Sequence, residues 1–300
     1  AGSLTAINEI SASVILNGGT LTANNLVLSN SFNWLSGSLN GSGLTTTALA
    51  TVQAVTLDIP WNAAGTTNIS GDVTGTGSIN IPVAAVLTGN ENTIATSVSL
   101  NGGTLTANNL ELSSTFDWFS GTVDGTGLTT SGQVDLLSGT LNTDWTIAPT
   151  GTVTWGGDDS NELIINSATI TNQGTFSIRS TAGAQLSDLF SGTASRNFSA
   201  SSSAQFINVG RLFIDADPLD GSSGDPIVFD LIFQNTGGFI GIASGSFQLL
   251  DPNTGNAQTL ELGDGSQLQG FGTLVANVIN SGGVVTPGSQ FDNSDKTGKL

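Results

Sequence analysis

The stretch that decides the fold is Leu-Asn-Gly-Gly-Thr-Leu-Thr-Ala-Asn-Asn-Leu at residues 16–26, which recurs without change at residues 100–110. The likeness continues at the same 84-residue offset through a Phe-x-Trp pair, at residues 32–34 and 116–118. A duplication is the simplest explanation, and it indicates that one three-dimensional unit is built twice.

Each copy consists of short apolar alternations separated by Gly-Gly, Asn-Gly, Asn-Asn and Ser-Gly. Alternation with a period of two predicts strands, and Gly and Asn tolerate the positive φ angles that tight turns need. No stretch has the apolar period of a long amphipathic helix. The sequence therefore predicts an all-β protein with many short strands and few or no helices.

The second half of the chain repeats a looser pattern, in which an apolar strand is followed by Asn-x-Gly. The Asn residues of this pattern are Asn172, Asn208, Asn235 and Asn280. Short strands joined in this way suit a sandwich, a barrel or a parallel solenoid, and the duplication favours the solenoid. Asn side chains in neighbouring coils are then expected to form hydrogen-bonded ladders.

The repeats divide the chain into two predicted solenoid regions, residues 1–165 and 166–300. The first contains the duplicated copies and the second has irregular loops; the copies lie near 14–61 and 98–145, and the loops near 180–205 and 215–226. At about 22 residues per coil, we expect roughly a dozen coils.

The composition excludes most familiar catalytic centres. Charged residues make up 9% of the chain, against roughly 25% in ordinary soluble domains. Because Cys, His, Met and Tyr are all absent, the chain has no disulfide, no thiolate or imidazole metal ligand, and no Ser-His-Asp or Cys-His triad. The absence of Cys also favours export from a bacterial cell.

The charge balance argues against nucleic acids and anionic membrane surfaces as partners. The net charge is −18, and all 5 basic residues lie at or beyond Arg179. Nucleic acids and anionic membrane surfaces are therefore not expected to bind. The longest apolar stretch, residues 227–233, is interrupted by Asp230 and is far shorter than the roughly 20 residues that span a bilayer, so this segment is not expected to insert into membranes.

Calcium is the one metal that the side chains suit, because it takes carboxylate and carbonyl oxygens. The densest acidic segment contains the candidate ligands Asp215, Asp217, Asp220 and Asp225. Their spacing departs from the EF-hand pattern and Pro218 interrupts it, so a solvated acidic loop is the competing interpretation. A weaker candidate lies at residues 156–162.

An enzymatic interpretation rests on Asp144, Asp158 and Asp159, whose surroundings resemble the carboxylate motifs of β-helical polygalacturonases. The Gly-His-Gly and basic motifs of those enzymes are missing, which argues against this function. The five Trp residues allow a carbohydrate-stacking row or a packed core. The Phe-x-Trp spacing places both rings on one strand face and favours the core.

Two C-terminal segments carry a family resemblance: Leu-Gln-Gly-Phe-Gly-Thr-Leu at residues 268–274 and Val-Ile-Asn-Ser-Gly-Gly-Val-Val-Thr-Pro-Gly at residues 278–288. Together with the Asn-x-Gly copies, they resemble the repeats of bacterial autotransporter passengers and filamentous-haemagglutinin-like surface proteins, over most of residues 165–290. The resemblance implies a right-handed parallel β-helix exported to the bacterial surface, with adhesion or surface-structure roles.

We therefore expect a non-enzymatic extracellular protein of the bacterial cell surface, in which a rigid β-helix serves adhesion or surface structure. The alternative is a self-assembling subunit of a filament or surface layer, because uncapped solenoid ends expose strand edges. A polysaccharide-active enzyme is the third interpretation. Expected partners are other copies of the chain or cell-surface glycans and proteins, with no cofactor other than Ca²⁺.

Overall fold

The computed structural model describes residues 3–157, 163–180, 203–215 and 227–288. Within these ranges the regular structure consists of strands, which confirms the predicted all-β class. The same ranges contain no helix that is long and apolar enough to cross a membrane. The chain divides into two compact units, Ala1–Val134 and Asp135–Leu300.

Most strands of the first unit are short, and a few longer ones bend at corners. They are β1 (Ser3–Ile10), β2 (Val14–Leu28), β3 (Phe32–Gly41), β4 (Leu44–Thr46), β5 (Ala50–Val52), β6 (Val55–Leu57), β7 (Pro60–Ala63), β8 (Thr66–Ile69), β9 (Val73–Thr74), β10 (Ser78–Pro82), β11 (Val86–Asn90), β12 (Thr93–Ile94), β13 (Ser97–Leu112), β14 (Phe116–Thr130) and β15 (Gln133–Leu136), which crosses the division between the units.

Each strand of the first unit pairs in parallel with strands that lie about one circuit of the chain before and after it, and we call one such circuit a turn. Trp34, for example, pairs with both Leu16 and Val52. Hydrogen bonds that join neighbouring turns show how many residues a turn contains. Asn80 and Asn62 are 18 residues apart, whereas the backbone of Thr93 and the side chain of Asp72 are 21 residues apart. The turns are therefore shorter than the sequence predicts, because each side holds only a short strand between tight corners.

Each turn contributes strands to three columns. The first column contains β5, β8 and β11, the second β6, β9 and β12, and the third β4, β7 and β10. The longer strands β2, β3, β13 and β14 bend at the corners and take part in two or three columns. Three columns per turn bring the inward side chains of all three sides together in one narrow interior.

The alternation of apolar residues fills that interior. Inward positions are buried and the residues between them are not, as in Leu44-Thr45-Thr46. Because the pairing is in register, inward residues of successive turns stack in rows. One buried row of the third column consists of Leu26, Leu44, Trp61, Ile79, Val98 and Phe116. Such rows supply the hydrophobic stabilisation that no single turn provides alone.

The two copies of the duplicated sequence lie in different columns. Leu16 pairs with Trp34 in the first column, whereas its copy Leu100 pairs with Ile81 in the third. The offset between the copies is longer than four turns and shorter than five, so it does not return the chain to the same side. The same sequence therefore forms different sides of the turn, so the columns are structurally interchangeable.

The corners of the turns use left-handed backbone at matching places in the two copies. Asn25 and its copy Asn109 both have φ 53°, and Gly41 and its copy Gly125 have φ 118° and 117°. A Cβ on Gly125 would also lie against the carbonyl oxygen of Ala107 in the preceding turn. This position therefore requires glycine for conformation and for space.

We expect Gly125→Ala to lower the free energy of unfolding by about 1–3 kcal/mol, because alanine would adopt strained backbone and meet a carbonyl oxygen. Gly127→Ala is the matched control, because Gly127 lacks a positive φ and the nearest atom to its Cβ position is the side-chain oxygen of Asn109, at 3.3 Å. Chemical denaturation of both variants measures the difference. Equal losses would show that Gly125 is not a constrained corner.

The second unit is also built from short strands. They are β16 (Gly139–Leu141), β17 (Trp145–Ile147), β18 (Thr152–Gly157), β19 (Leu163–Ile165), β20 (Thr169–Asn172), β21 (Thr175–Ser180), β22 (Gln205–Asn208), β23 (Arg211–Asp215), β24 (Ile227–Asp230), β25 (Ile232–Asn235), β26 (Phe239–Ser244), β27 (Ser246–Leu250), β28 (Thr259–Leu262), β29 (Gln267–Gly270), β30 (Thr273–Val275), β31 (Asn277–Asn280) and β32 (Val284–Pro287).

Strand ladders of the second unit are parallel, but the distance along the chain between partners varies. Asn172 and its partner Asn208 are 36 residues apart, whereas Asn208 and its partner Asn235 are 27 residues apart. The longer spacing includes residues 181–202. The predicted irregular loops near 180–205 and 215–226 lie mostly outside the described residues. In-register pairing thus persists while the connections change length.

Aromatic side chains fill the interior of the second unit. The ring centroid of Phe206 lies 5.4 Å from that of Phe176 and 5.8 Å from that of Phe233. Phe229 and Phe247 contact edge to face at 4.8 Å. Offset and edge-to-face pairs at these distances add stabilisation beyond the burial of their area.

Three Asn-x-Gly residues form the predicted ladder. Asn172 Nδ2 donates to Asn208 Oδ1 at 2.9 Å, and Asn208 Nδ2 donates to Asn235 Oδ1 at 2.7 Å. The same two Nδ2 groups also donate to the carbonyl oxygens of Arg211 and Phe239. Asn172 and Asn208 are fully buried. The ladder therefore gives acceptors to the buried Nδ2 groups of Asn172 and Asn208 and joins each turn to the next.

The fourth copy, Asn280, does not extend the ladder. Its strand partner is Leu262, its side chain is exposed, and its Oδ1 accepts hydrogen bonds from the backbone N–H groups of Gly282 and Gly283. At Asn280 the motif therefore makes local hydrogen bonds, and no further turn of the described chain lies beside it.

We expect Asn208→Ala to cost about 2–4 kcal/mol of unfolding free energy, because it removes the hydrogen bonds that the buried Asn208 amide makes with Asn172, Asn235 and the carbonyl oxygen of Phe239. Asn80→Ala is the control: Asn80 donates to Asn62 at 2.9 Å in a ladder that is only partly buried. That change should cost less than about 1 kcal/mol. Denaturation curves for both variants check this, and an equal cost would contradict a special role for the buried ladder.

Candidate interaction surfaces

The predicted calcium loop is described at only one of its four candidate ligands. Asp217, Asp220 and Asp225 lie outside the described residues. Asp215 ends β23, is exposed, and accepts a hydrogen bond from Ser244 Oγ at 2.7 Å. Within the described ranges no group of three or more acidic side chains is placed to hold a metal ion. The calcium site therefore stays a prediction.

The acidic residues of the enzymatic interpretation have structural partners where they are described. Asp144 Oδ1 accepts a hydrogen bond from the backbone N–H of Thr169 at 2.8 Å, and Asn142 Oδ1 accepts one from Asn166 at 2.9 Å. Both bonds join one turn to the next. Asp158 and Asp159 lie outside the described residues. Asp144 and Asn142 thus hold neighbouring turns together.

All five Trp side chains are buried in the interior, which confirms the core assignment over a carbohydrate-stacking row. Trp61 Nε1 donates to Thr46 Oγ1 at 3.0 Å, and Trp155 Nε1 donates to the carbonyl oxygen of Leu137 at 3.0 Å. Trp34 stacks on Phe32 with ring centroids 6.0 Å apart. None of these rings is available to a ligand at the surface.

A cationic and aromatic cluster lies on the outer side of β23 and β26, and we call Arg211, Phe213 and Phe239 the lateral patch. The Arg211 guanidinium lies 5.1 Å from the Phe213 ring and 5.2 Å from the Phe239 ring. The two rings are 5.3 Å apart. These distances are typical of cation–π contacts.

The sequence analysis does not identify the lateral patch. The alternation in β23 does place Arg211 and Phe213 on one face, opposite the buried Leu212 and Ile214. Phe239 joins them only because β26 pairs in register with β23, with Phe239 beside Arg211. That pairing spans a connection of variable length, so no fixed repeat in the sequence signals it.

The positive side chains of the described residues lie on the same outer side. Arg179 is exposed at the end of β21, where its strand partner is Asp215, and Arg211 is exposed at the start of β23. Arg196, Lys296 and Lys299 lie outside the described residues. In a chain with a net charge of −18, this side of the second unit is therefore the most favourable described surface for an acidic group.

The last described turn, formed by β30, β31 and β32, exposes apolar side chains. Each of these strands has one strand partner among the described residues, namely β27, β28 and β29. Its most exposed apolar residues are Val278 (46%), Ile279 (54%), Val284 (55%) and Val285 (40%). Exposed apolar side chains grouped in this way are suited to contact with another surface.

No protein-family model, curated protein or solved structure matches this chain.

Because every indole is buried, we expect the Trp fluorescence of the folded chain to resist quenching by acrylamide and to remain unchanged when oligosaccharides are added. Unfolding in guanidinium chloride should abolish this protection and serves as the internal control. Strong quenching of the folded chain, or a spectral shift on adding a sugar, would mean that at least one indole is at the surface.

Proposed function

We propose that this chain is a non-enzymatic scaffold of a bacterial cell-surface protein, folded as a right-handed parallel β-helix and serving adhesion or surface structure. The observation that carries the proposal is the in-register stacking of three strand columns around an interior filled by apolar side chains. A packed interior of this kind makes the stacked turns rigid, and their outer sides remain available for contacts with partners.

The distribution of polar side chains supports a scaffold over an enzyme. Asp144 and Asn142 each accept a hydrogen bond from the next turn, so they hold neighbouring turns together. Outer polar residues form similar links elsewhere: Asn108 donates to Asn90, and Ser131 donates to Glu111. Such links stabilise the stacking of turns and need no catalytic role.

The resemblance of residues 268–288 to autotransporter and haemagglutinin-like repeats supports an extracellular location. The sparse charge and the absence of Cys suit the same environment. On this proposal, Ca²⁺ at Asp215 and the neighbouring acidic residues is an optional structural ligand, and the partners are cell-surface glycans or proteins, or other copies of the chain.

The lateral patch is the surface that we assign to adhesion. Its guanidinium packs over the two aromatic rings and offers N–H donors to carboxylates and hydroxyls. Gln267 lies beside Phe239 in the next strand, β29, and adds an amide to the same outer side.

Display of the chain on a non-adherent bacterial strain tests this function. We expect the displaying cells to adhere to mucin-coated plates at least several-fold better than cells without the chain. The triple variant Arg211→Ser, Phe213→Ser and Phe239→Ser should abolish the gain. A control with three exposed apolar residues of the first unit changed, Ile15→Ser, Leu49→Ser and Val83→Ser, should retain it.

Two results would count against the proposal. Equal adhesion with and without the displayed chain would exclude an adhesive role on this surface. Release of reducing sugars from polygalacturonate or mucin by the purified chain would instead make it an enzyme.

A further inference from the structure

We infer that the lateral patch recognises the carboxylate of an acidic sugar, so that the chain prefers glycans that carry uronic or sialic acid to neutral glycans. The inference rests on the proposed adhesive function and names the ligand class of that same surface. We assign the preference to Arg211, which pairs with the sugar carboxylate.

One column of the second unit carries more positive than negative charge on its outer side. The column consists of six strands that pair in the order β18, β21, β23, β26, β29 and β32. The charged residues among its outward positions are Arg179, Arg211 and Asp215. In a chain with a net charge of −18, this side is therefore locally attractive to a carboxylate.

The Arg211 side chain is held in place and keeps its charge. Its guanidinium lies 5.1 Å from the ring centroid of Phe213 and 5.2 Å from that of Phe239, and Arg211 is exposed. Within the described parts of the chain, no carboxylate lies at ion-pairing distance from this guanidinium. Because a cation–π contact orders a charge without neutralising it, Arg211 can still form a charge-assisted pair with a ligand.

The two rings that hold Arg211 are packed on the sheet. Phe213 and Phe239 are half-buried, and their centroids are 5.3 Å apart. Gly241 is the strand partner of Phe213 and follows Phe239 by two residues, and it is buried although it faces outward. A glycine at this position gives the side chains around it room to lie against the sheet. The guanidinium is therefore positioned before a ligand arrives, which lowers the entropy cost of binding.

The residues on either side of the patch suit sugar hydroxyls. Thr175 is the strand partner of Arg211 on one side, and Gln267 lies beside Phe239 on the other. Hydroxyl and amide groups both donate and accept hydrogen bonds, as sugar hydroxyls do. A sugar that pairs its carboxylate with Arg211 therefore meets neutral polar groups in both directions along the column.

An acidic peptide fits this side less well than an acidic glycan. Extended peptides bind to sheets by adding a strand at a free edge. β23 pairs with β21 and β26, and β26 pairs with β23 and β29, so neither strand of the patch has a free edge. A ligand must lie on the outer faces of the strands, where a guanidinium, an amide and a hydroxyl are its partners.

Binding of the purified chain to immobilised polygalacturonate tests the inference, with carboxyl-reduced polygalacturonate as the neutral form of the same polymer. At about 0.15 M salt, which screens repulsion by the rest of the chain, we expect at least roughly tenfold tighter binding to the unreduced polymer. Biolayer interferometry measures both affinities. Equal affinity for the two polymers would overturn the inference.

Two variants with the same change of charge separate a specific contact from a general charge effect. Arg211→Gln should weaken binding to polygalacturonate at least roughly tenfold, because the carboxylate loses its charged partner. Arg179→Gln is the matched control: Arg179 lies beside Asp215 and outside the lateral patch, so the affinity should change less than about twofold. Circular dichroism checks that both variants keep their fold. Equal losses would contradict the assignment to Arg211.

Polyglutamate, immobilised at the same density of carboxylates, is the peptide probe. We expect weaker binding to polyglutamate than to polygalacturonate, because the peptide lacks the hydroxyls that the neighbouring polar groups bind. Equal or tighter binding to polyglutamate would make an acidic peptide the ligand and would overturn the inference.

Adhesion of the displaying cells to treated mucin separates this inference from the proposed function. Carboxyl reduction of the mucin should remove the gain in adhesion. The same loss after sialidase treatment would identify sialic acid as the source of the carboxylate, and adhesion that survives sialidase alone would identify uronic acid. Unchanged adhesion to carboxyl-reduced mucin would overturn the inference and leave the adhesive function intact. Failure to adhere to untreated mucin, with polygalacturonate binding that is lost in Arg211→Gln, would do the reverse.

Discussion

The rest of the structure depends on one constraint: each turn must pair in parallel and in register with the next. No single turn can bury its own apolar side chains, so stability comes from rows that cross turns. The row from Leu26 to Phe116 shows the result, with one buried residue from each of six successive turns. A one-residue slip would turn the inward side chains outward, so the alternation of the sequence also enforces the register.

Corners reconcile this register with a chain of variable turn length. In the first unit, left-handed Asn25 and Asn109 and glycines such as Gly125 bend the chain sharply. In the second unit, the buried ladder of Asn172, Asn208 and Asn235 keeps the corners aligned although their spacing along the chain changes from 36 to 27 residues. In the second unit, side-chain hydrogen bonds rather than a constant turn length thus keep the corners of successive turns aligned.

The surface that we propose for adhesion arises from the register between turns. The lateral patch exists because Phe213 and Phe239 occupy outward positions that register brings together, and Arg211 covers both rings. Inward residues of the last described turn, such as Val278 and Val285, are exposed because no described turn covers them.

Sequence alone determined the all-β class, the burial of the Trp residues and the Asn ladder, because alternation, Phe-x-Trp spacing and repeated Asn-x-Gly are local signals. It did not determine the turn length, because the offset of the duplication is not a whole number of turns and the copies fall in different columns. The lateral patch and the exposed valines were decided by tertiary structure alone. Their members come together only through strand pairing between turns, and whether an inward residue is buried depends on the turn beside it.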